Sequence, residues 1–252
     1  VAEHARSPRA ARAYHGMSDS SLSITSASFA GTRAHVNLVI GEVNERSMFA
    51  GVHTALTTAS TLCGALEMPL RVVMLDLTSP GNDAGRVARF VGERFGLDRV
   101  EVVERTGLGD TAFSHSDVWL ATHSKTAHAV QVACDAGIVS PLRVAYLIQD
   151  YEPGFSAWST ASVVAEATYH AGFVEIVNSV PLWSFLNDRE GVAVDRRMVF
   201  APSFESERLR RAADERRRGA VPRVLFYGRP SKPRNLFGLG VAALHAASEL
   251  LA

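Results

Sequence analysis

Cysteine is scarce in this sequence: Cys63 and Cys134 are the only two in 252 residues, far apart and each in an apolar, helix-like context. That spacing excludes a disulfide framework and offers no zinc-ligand pattern. A reducing, cytoplasmic setting is the simplest expectation. Lysine is scarce too, for Lys125 and Lys232 are the only lysines among 26 basic residues. Genomic base composition accounts for that without a role in recognition. Net charge is lacking, with 26 basic against 26 acidic residues, which argues against nucleic acid as an electrostatically held partner. No run reaches the roughly 18 consecutive apolar residues of a membrane span. Residues 1–26 have no apolar h-region and do not form a secretory signal. The chain opens on Val1 rather than Met, so it is expected to be processed or cut from a longer protein.

What is present is a sequence 47% hydrophobic, long enough for one large or two smaller domains with a substantial core. Residues 1–33 are polar and Ser-rich, as in a flexible arm or an edge element. Beyond them, short apolar runs alternate with helix-length segments. The runs are AHVNLVI from Ala34, LRVVMLDL from Leu70, RVEVVER from Arg99, DVWLATH from Asp117, RVAYLIQ from Arg143, FVEIVNS from Phe173 and RMVFAPS from Arg197. Helical patterns such as Gly51 to Leu66 and Gly85 to Phe95 lie between them. This alternation predicts βαβ units and a doubly wound parallel sheet, an α/β fold over residues 34–204. Residues 205–223 read as a charged linker helix. Its face is either solvated or a peripheral contact for anionic lipid. A further strand, VLFYG from Val224, and a helix from Leu236 to Leu251 read as the first βα unit of a second domain over 224–252, most of which is expected to be missing.

Four motifs carry candidate chemistry. The first is GEVNERSMFAG, where Gly41 follows a strand and lets backbone approach a ligand. Gly51 then sits near a helix N-terminus, a natural anion or hydroxyl site. There is no GxGxxG, so the dinucleotide fingerprint is absent. In the second, His123 stands at a strand end, able to bond a sugar hydroxyl or a backbone carbonyl. His123 and His128 are not spaced to share a helix face, and no metal site is assigned. The third motif, Gln149-Asp150-Tyr151-Glu152, follows the fully apolar run Val144 to Ile148. Ligands of open α/β sheets bind outside the carboxyl ends of the strands. There Asp150 or Glu152 can act as a general base, hold hydroxyls or cap a helix. Tyr151, Phe155 and Trp158 read either as a sugar-stacking wall or as hydrophobic cover. The fourth places Arg229, Lys232 and Arg234 on a strand-to-helix loop, with a helix beginning near Asn235. Cations and helix N–H groups together suit a diphosphate.

QDYEPGF, the segment Glu166-Ala-Thr-Tyr169 and YGRPSKPRNLF together resemble the rhamnosyltransferase branch of family 4 glycosyltransferases, over about residues 34–252. The resemblance implies the GT-B fold, two Rossmann-like domains, with acceptor glycan held by the N-terminal domain and nucleotide sugar by the C-terminal one. It implies Asp150 as the acceptor-side catalytic carboxylate and Arg229 as the first diphosphate-binding cation; together with the motif readings above, the expected substrate-binding set is Gly41, Gly51, His123, Gln149, Glu152, Arg229, Arg234 and Asn235. His123 stands where related enzymes place a donor-sugar histidine. The donor implied is dTDP-rhamnose, with no cofactor and no obligatory metal. The wider family carries Lys then Gly where this chain has Arg234 and Asn235, and Arg keeps the charge while changing the hydrogen-bond geometry. The family's later acidic pair has no counterpart in these residues, so the chain alone is expected to be inactive. Two other classes remain: a glycan-binding or scaffolding module, and a GT-B nucleotide-sugar epimerase.

Overall fold

The computed structural model describes Ile24 and residues 27–76, 79, 81–201, 206–215, 224–230 and 235–250. The chain divides into two units, Val1–Pro202 and Ser203–Ala252.

In the first unit six strands form one sheet, every pair parallel: β1 (Val36–Ile40), β2 (Leu70–Met74), β3 (Val100–Glu104), β4 (Val118–Ala121), β5 (Val144–Ile148) and β6 (Val174–Val177). Their order is β3-β2-β1-β4-β5-β6, so the chain builds outward from β1, then returns to β1's other side. The α/β, Rossmann-like expectation is met, in the form of one sheet of a GT-B protein. Every residue of β1, β2 and β5 is buried, which is why these strands read as largely apolar runs, interrupted only by Asn37 and Arg71, rather than as alternations.

The helices are α1 (Ala50–Leu66), α2 (Ala84–Phe95), α3 (Ser124–Asp135), α4 (Thr160–Thr168) and α5 (Val180–Arg189). Strand side chains alternate between two cores. Val36, Leu38 and Ile40 pack with Leu56 of α1 and Val91 of α2, whereas Val39 packs with Val130 of α3 and Leu186 of α5. Local chemistry sets the helix starts: the side chains of Asp83, Ser159 and Ser179 each accept a first-turn N–H, as N-cap residues do. Helix α2 stops where Gly96 turns left-handed at φ 63°.

At the amino ends of the strands lies a buried polar cluster. Asp117 accepts from His35 N (2.8 Å), Asn37 Nδ2 (2.9 Å) and Ser114 N (3.0 Å). Arg71 lies 3.4 Å from Asp117 and 2.9 Å from Glu101, with its guanidinium 5.0 Å from the Phe113 ring centre. Within the segment expected as an arm, Ile24 is fully buried and Ser28 bridges to Ala112.

Two expected strands are corrected. Residues 197–201 contribute no strand, and 202–203 lie outside the described residues: Arg196–Met198 is a 3-10 turn initiated by the Asp195 side chain, and only Val199 bridges to Val177. Residues 224–228 are irregular, because among the described residues no strand lies beside them to complete a ladder. The second unit contains α6 (Ser206–Asp214) and α7 (Phe237–Leu250). Phe226 stacks on Phe237 at 5.8 Å, and a Cβ at Gly228 would stand 2.8 Å from that Phe237 ring. The remainder of the expected linker helix, 216–223, lies outside the described residues.

Candidate functional site

The strand order reverses between β1 and β4, and such a switch point opens a crevice at the carboxyl edge of a doubly wound sheet. Gly41 ends β1 there and His123 follows β4. The β1–β2 ladder continues past both strands through Leu75 N to Ile40 O (2.9 Å) and Asp76 N to Gly41 O (3.0 Å). Asp76 is thereby set beside Gly41. A Cβ built on Gly41 would lie 2.5 Å from Asp76 Oδ2 and 3.6 Å from His123 Nε2. Glycine supplies room here, so that a carboxylate and an imidazole converge on one point. Its φ lies outside the left-handed region.

His123 has two jobs. It is the N-cap of α3, with Nδ1 accepting from Thr126 N (3.4 Å), while the Thr126 hydroxyl accepts from His123 N (3.1 Å). An accepting Nδ1 puts the ring proton on Nε2, the atom facing Gly41. Burial pushes the imidazole down to about 4, against the opposing pull of Asp76 and with a smaller push from Lys125. It is therefore a neutral N–H donor at physiological pH. Beside the acceptor oxygens of Asp76, that donor suits a hydroxyl, which gives one hydrogen bond and takes another.

The turn after β5 brings a second group of expected residues to the same edge. Asp150 is exposed, and its Oδ1 accepts from Tyr151 N (3.0 Å). Gln149 Nε2 donates to Gly51 O (3.2 Å) in the first turn of α1, so those two expected residues do meet. Glu152 Oε2 accepts from both Ser124 N (2.8 Å) and Ser124 Oγ (2.6 Å) at the start of α3. Of the aromatic trio, Tyr151 is half-buried, donates to Glu190 Oε2 (2.8 Å) and meets Phe185 edge-on at 4.9 Å. Burial, with Glu190 adding to it, pushes its phenol up to about 12. Phe155 is 40% and Trp158 91% exposed, so the three make no continuous wall.

Arg229 and Asn235 belong to the second unit and are half-buried there. Lys232 and Arg234 lie outside the described residues. Among the described residues no group of three or more His, Cys, Asp or Glu side chains is arranged to hold a metal ion, and no helix is long and apolar enough to cross a membrane. An open groove at the opposite edge of the sheet, lined by Arg33, His35, Arg89, Glu93, Arg99 and Glu101, contains none of the expected residues.

Residues 35–181 match the family described as WsaF, N-terminal domain. The chain belongs to this family. The matched span begins just before β1 and ends in the first turn of α5. It thus takes in the whole sheet and every candidate position of the first unit. The O-antigen biosynthesis protein RfbC of Myxococcus xanthus is 34% identical over 200 residues, covering 78% of this chain. The chain spans only 15% of the length of that relative.

Sequence reasoning missed Asp76, and it assigned no role to Ser124, which it placed beside His123 at a strand end, or to Tyr169, which it read only as part of the Glu166-Ala-Thr-Tyr169 segment. Asp76 carried a readable signal, since it is the first carboxylate in an apolar run, LRVVMLDL. The roles of Ser124 and Tyr169 were not readable, because they come from a partner, Glu152, 28 and 17 positions away.

Proposed function

We propose that this WsaF-type domain is the acceptor-side half of a glycosyltransferase of bacterial surface-polysaccharide assembly. The observation that carries the reading is the convergence of Asp76 and His123 on Gly41 at the switch point, with the Asp150 turn at the same sheet edge. Membership in the WsaF family and the O-antigen name of the Myxococcus relative support it. The donor is a nucleoside-diphosphate sugar, dTDP-rhamnose in our reading, and the acceptor is a glycan. In the reaction the bond from the anomeric carbon to the diphosphate oxygen breaks. A bond from an acceptor hydroxyl oxygen to that carbon forms, and Asp150 receives or orients the hydroxyl proton. Arg229 and Arg234 balance the growing charge of the leaving diphosphate, as fixed cations do in a water-poor site. No metal is required for that role. The protein works in the cytoplasm, and the basic face of α6 gives it peripheral contact with anionic membrane.

The test is sugar transfer by the full-length protein from a panel of nucleotide sugars including dTDP-rhamnose. It is run with and without a rhamnose-containing acceptor, and with and without chelator. Acceptor-dependent, chelator-resistant turnover lowered by at least about a hundredfold in both Asp150→Asn and Arg229→Ala, and still measurable, is expected. Donor isomerised without acceptor would indicate an epimerase. Glycan binding without turnover on any donor would indicate a non-catalytic module.

A further inference from the structure

Tyr169 follows α4 and is 2% exposed, its ring packed against Tyr146 at 5.9 Å and Tyr151 at 6.3 Å. A phenol so buried must find polar partners. Both of its partners lie on the turn that carries Asp150. The hydroxyl donates to Asp150 O (3.2 Å) and accepts from Glu152 N (3.2 Å). Those two backbone groups lie beyond the end of β5 and outside its ladder. Pro153, next in the chain, has no N–H to offer in their place. The same turn is then fixed on its other side, where Glu152 Oε2 takes two donors from Ser124. Ser124 opens α3 directly after His123, and a carboxylate at a helix N-terminus is stabilised by the helix dipole as well.

We propose that Tyr169 and Glu152 are positioning residues: a brace from the buried aromatic core, through the Asp150 turn, to the first residue of α3, holding the Asp150 carboxylate and the His123 imidazole in fixed relation. In this arrangement Glu152 spends its charge on α3 rather than on substrate. The effect of the brace on sugar transfer rests on the glycosyltransferase reading. The brace itself does not, and the experiment separates the two.

Tyr169→Phe removes one oxygen and keeps the ring packing. In this chain, amide hydrogen exchange followed by NMR should show the Glu152 amide exchanging at least about tenfold faster in the variant, while Leu147 within β5 is unchanged. Unchanged exchange at Glu152 overturns the brace. In the full-length protein, Tyr169→Phe should lower kcat by about 10–100-fold with the donor KM unchanged, the scale of a misplaced catalytic group. In an Asp150→Asn background the same change should cost less than about threefold more, because the two residues act as one unit. Losses that multiply independently overturn the proposal. Glu152→Gln, which keeps an acceptor for Ser124, should retain more activity than Glu152→Ala; equal losses would mean that Glu152 acts through its charge on substrate and not as a brace. If the wild type transfers no sugar, the glycosyltransferase reading falls, and the exchange experiment alone decides the brace.

Discussion

His123 divides its two ring nitrogens between folding and chemistry. Nδ1 is occupied by the helix it caps, which leaves Nε2–H aimed at Gly41 and Asp76. Because burial depresses the imidazole to about 4, the folded state resists protonation that the unfolded chain accepts at an ordinary histidine value near 6.5. Between those two values the unfolded state binds more protons. Its contribution is therefore full above pH about 6.5 and is lost as pH falls toward 4. An NMR titration of the His123 ring should show no more than about a tenth protonated at pH 5; a midpoint near 6.5 would refute the neutral-donor role. At this scale the sequence showed where a histidine and a carboxylate stand relative to strand ends, since the end of an apolar run is visible in the string. It did not show that Glu152 bonds Ser124, because a side-chain partner 28 positions away depends on how β4 and β5 lie together.

Elements were more legible than contacts. Six of the seven apolar runs formed strands, with ends within three residues of those read from the sequence. The seventh failed because Asp195 accepts from Arg197 N and from its guanidinium at 2.6 Å, starting a turn where extension was expected. The strands' amino ends are tied by Asp117, whose side chain is fully buried and joins β1, β2 and the start of β4. Asp117→Ala would strand the Arg71 guanidinium, itself 4% exposed, with only half-exposed Glu101 as counter-charge. Removing one partner of a buried ion pair costs about 3–5 kcal/mol. Thermal unfolding followed by circular dichroism should show a large fall in midpoint. A shift of a degree or two would mean that water or Glu101 replaces the lost carboxylate. This cluster lies at the edge opposite the candidate site, so a variant that folds should keep its ligand binding.

Across the whole first unit, the order β3-β2-β1-β4-β5-β6 has a consequence for the sequence of events in which the protein is made. Of the six strands described in this sheet, the one synthesised first ends up in the middle. When the ribosome has delivered β1, β2 and β3, the open side of β1 is still an unpaired apolar edge. Its partner is β4, with Val36 registered against Val118. An exposed edge of that kind invites pairing with another chain, and contacts so distant in sequence form slowly. A chain ended at residue 116 should therefore lack a cooperative unfolding transition and aggregate, whereas one ended at residue 201 should melt cooperatively. A stable, monomeric 1–116 species in sedimentation would contradict this. The interval between emergence of β3 and of β4 is then the time at which a nascent chain most needs a chaperone. The crevice at the switch point cannot exist until that interval has closed.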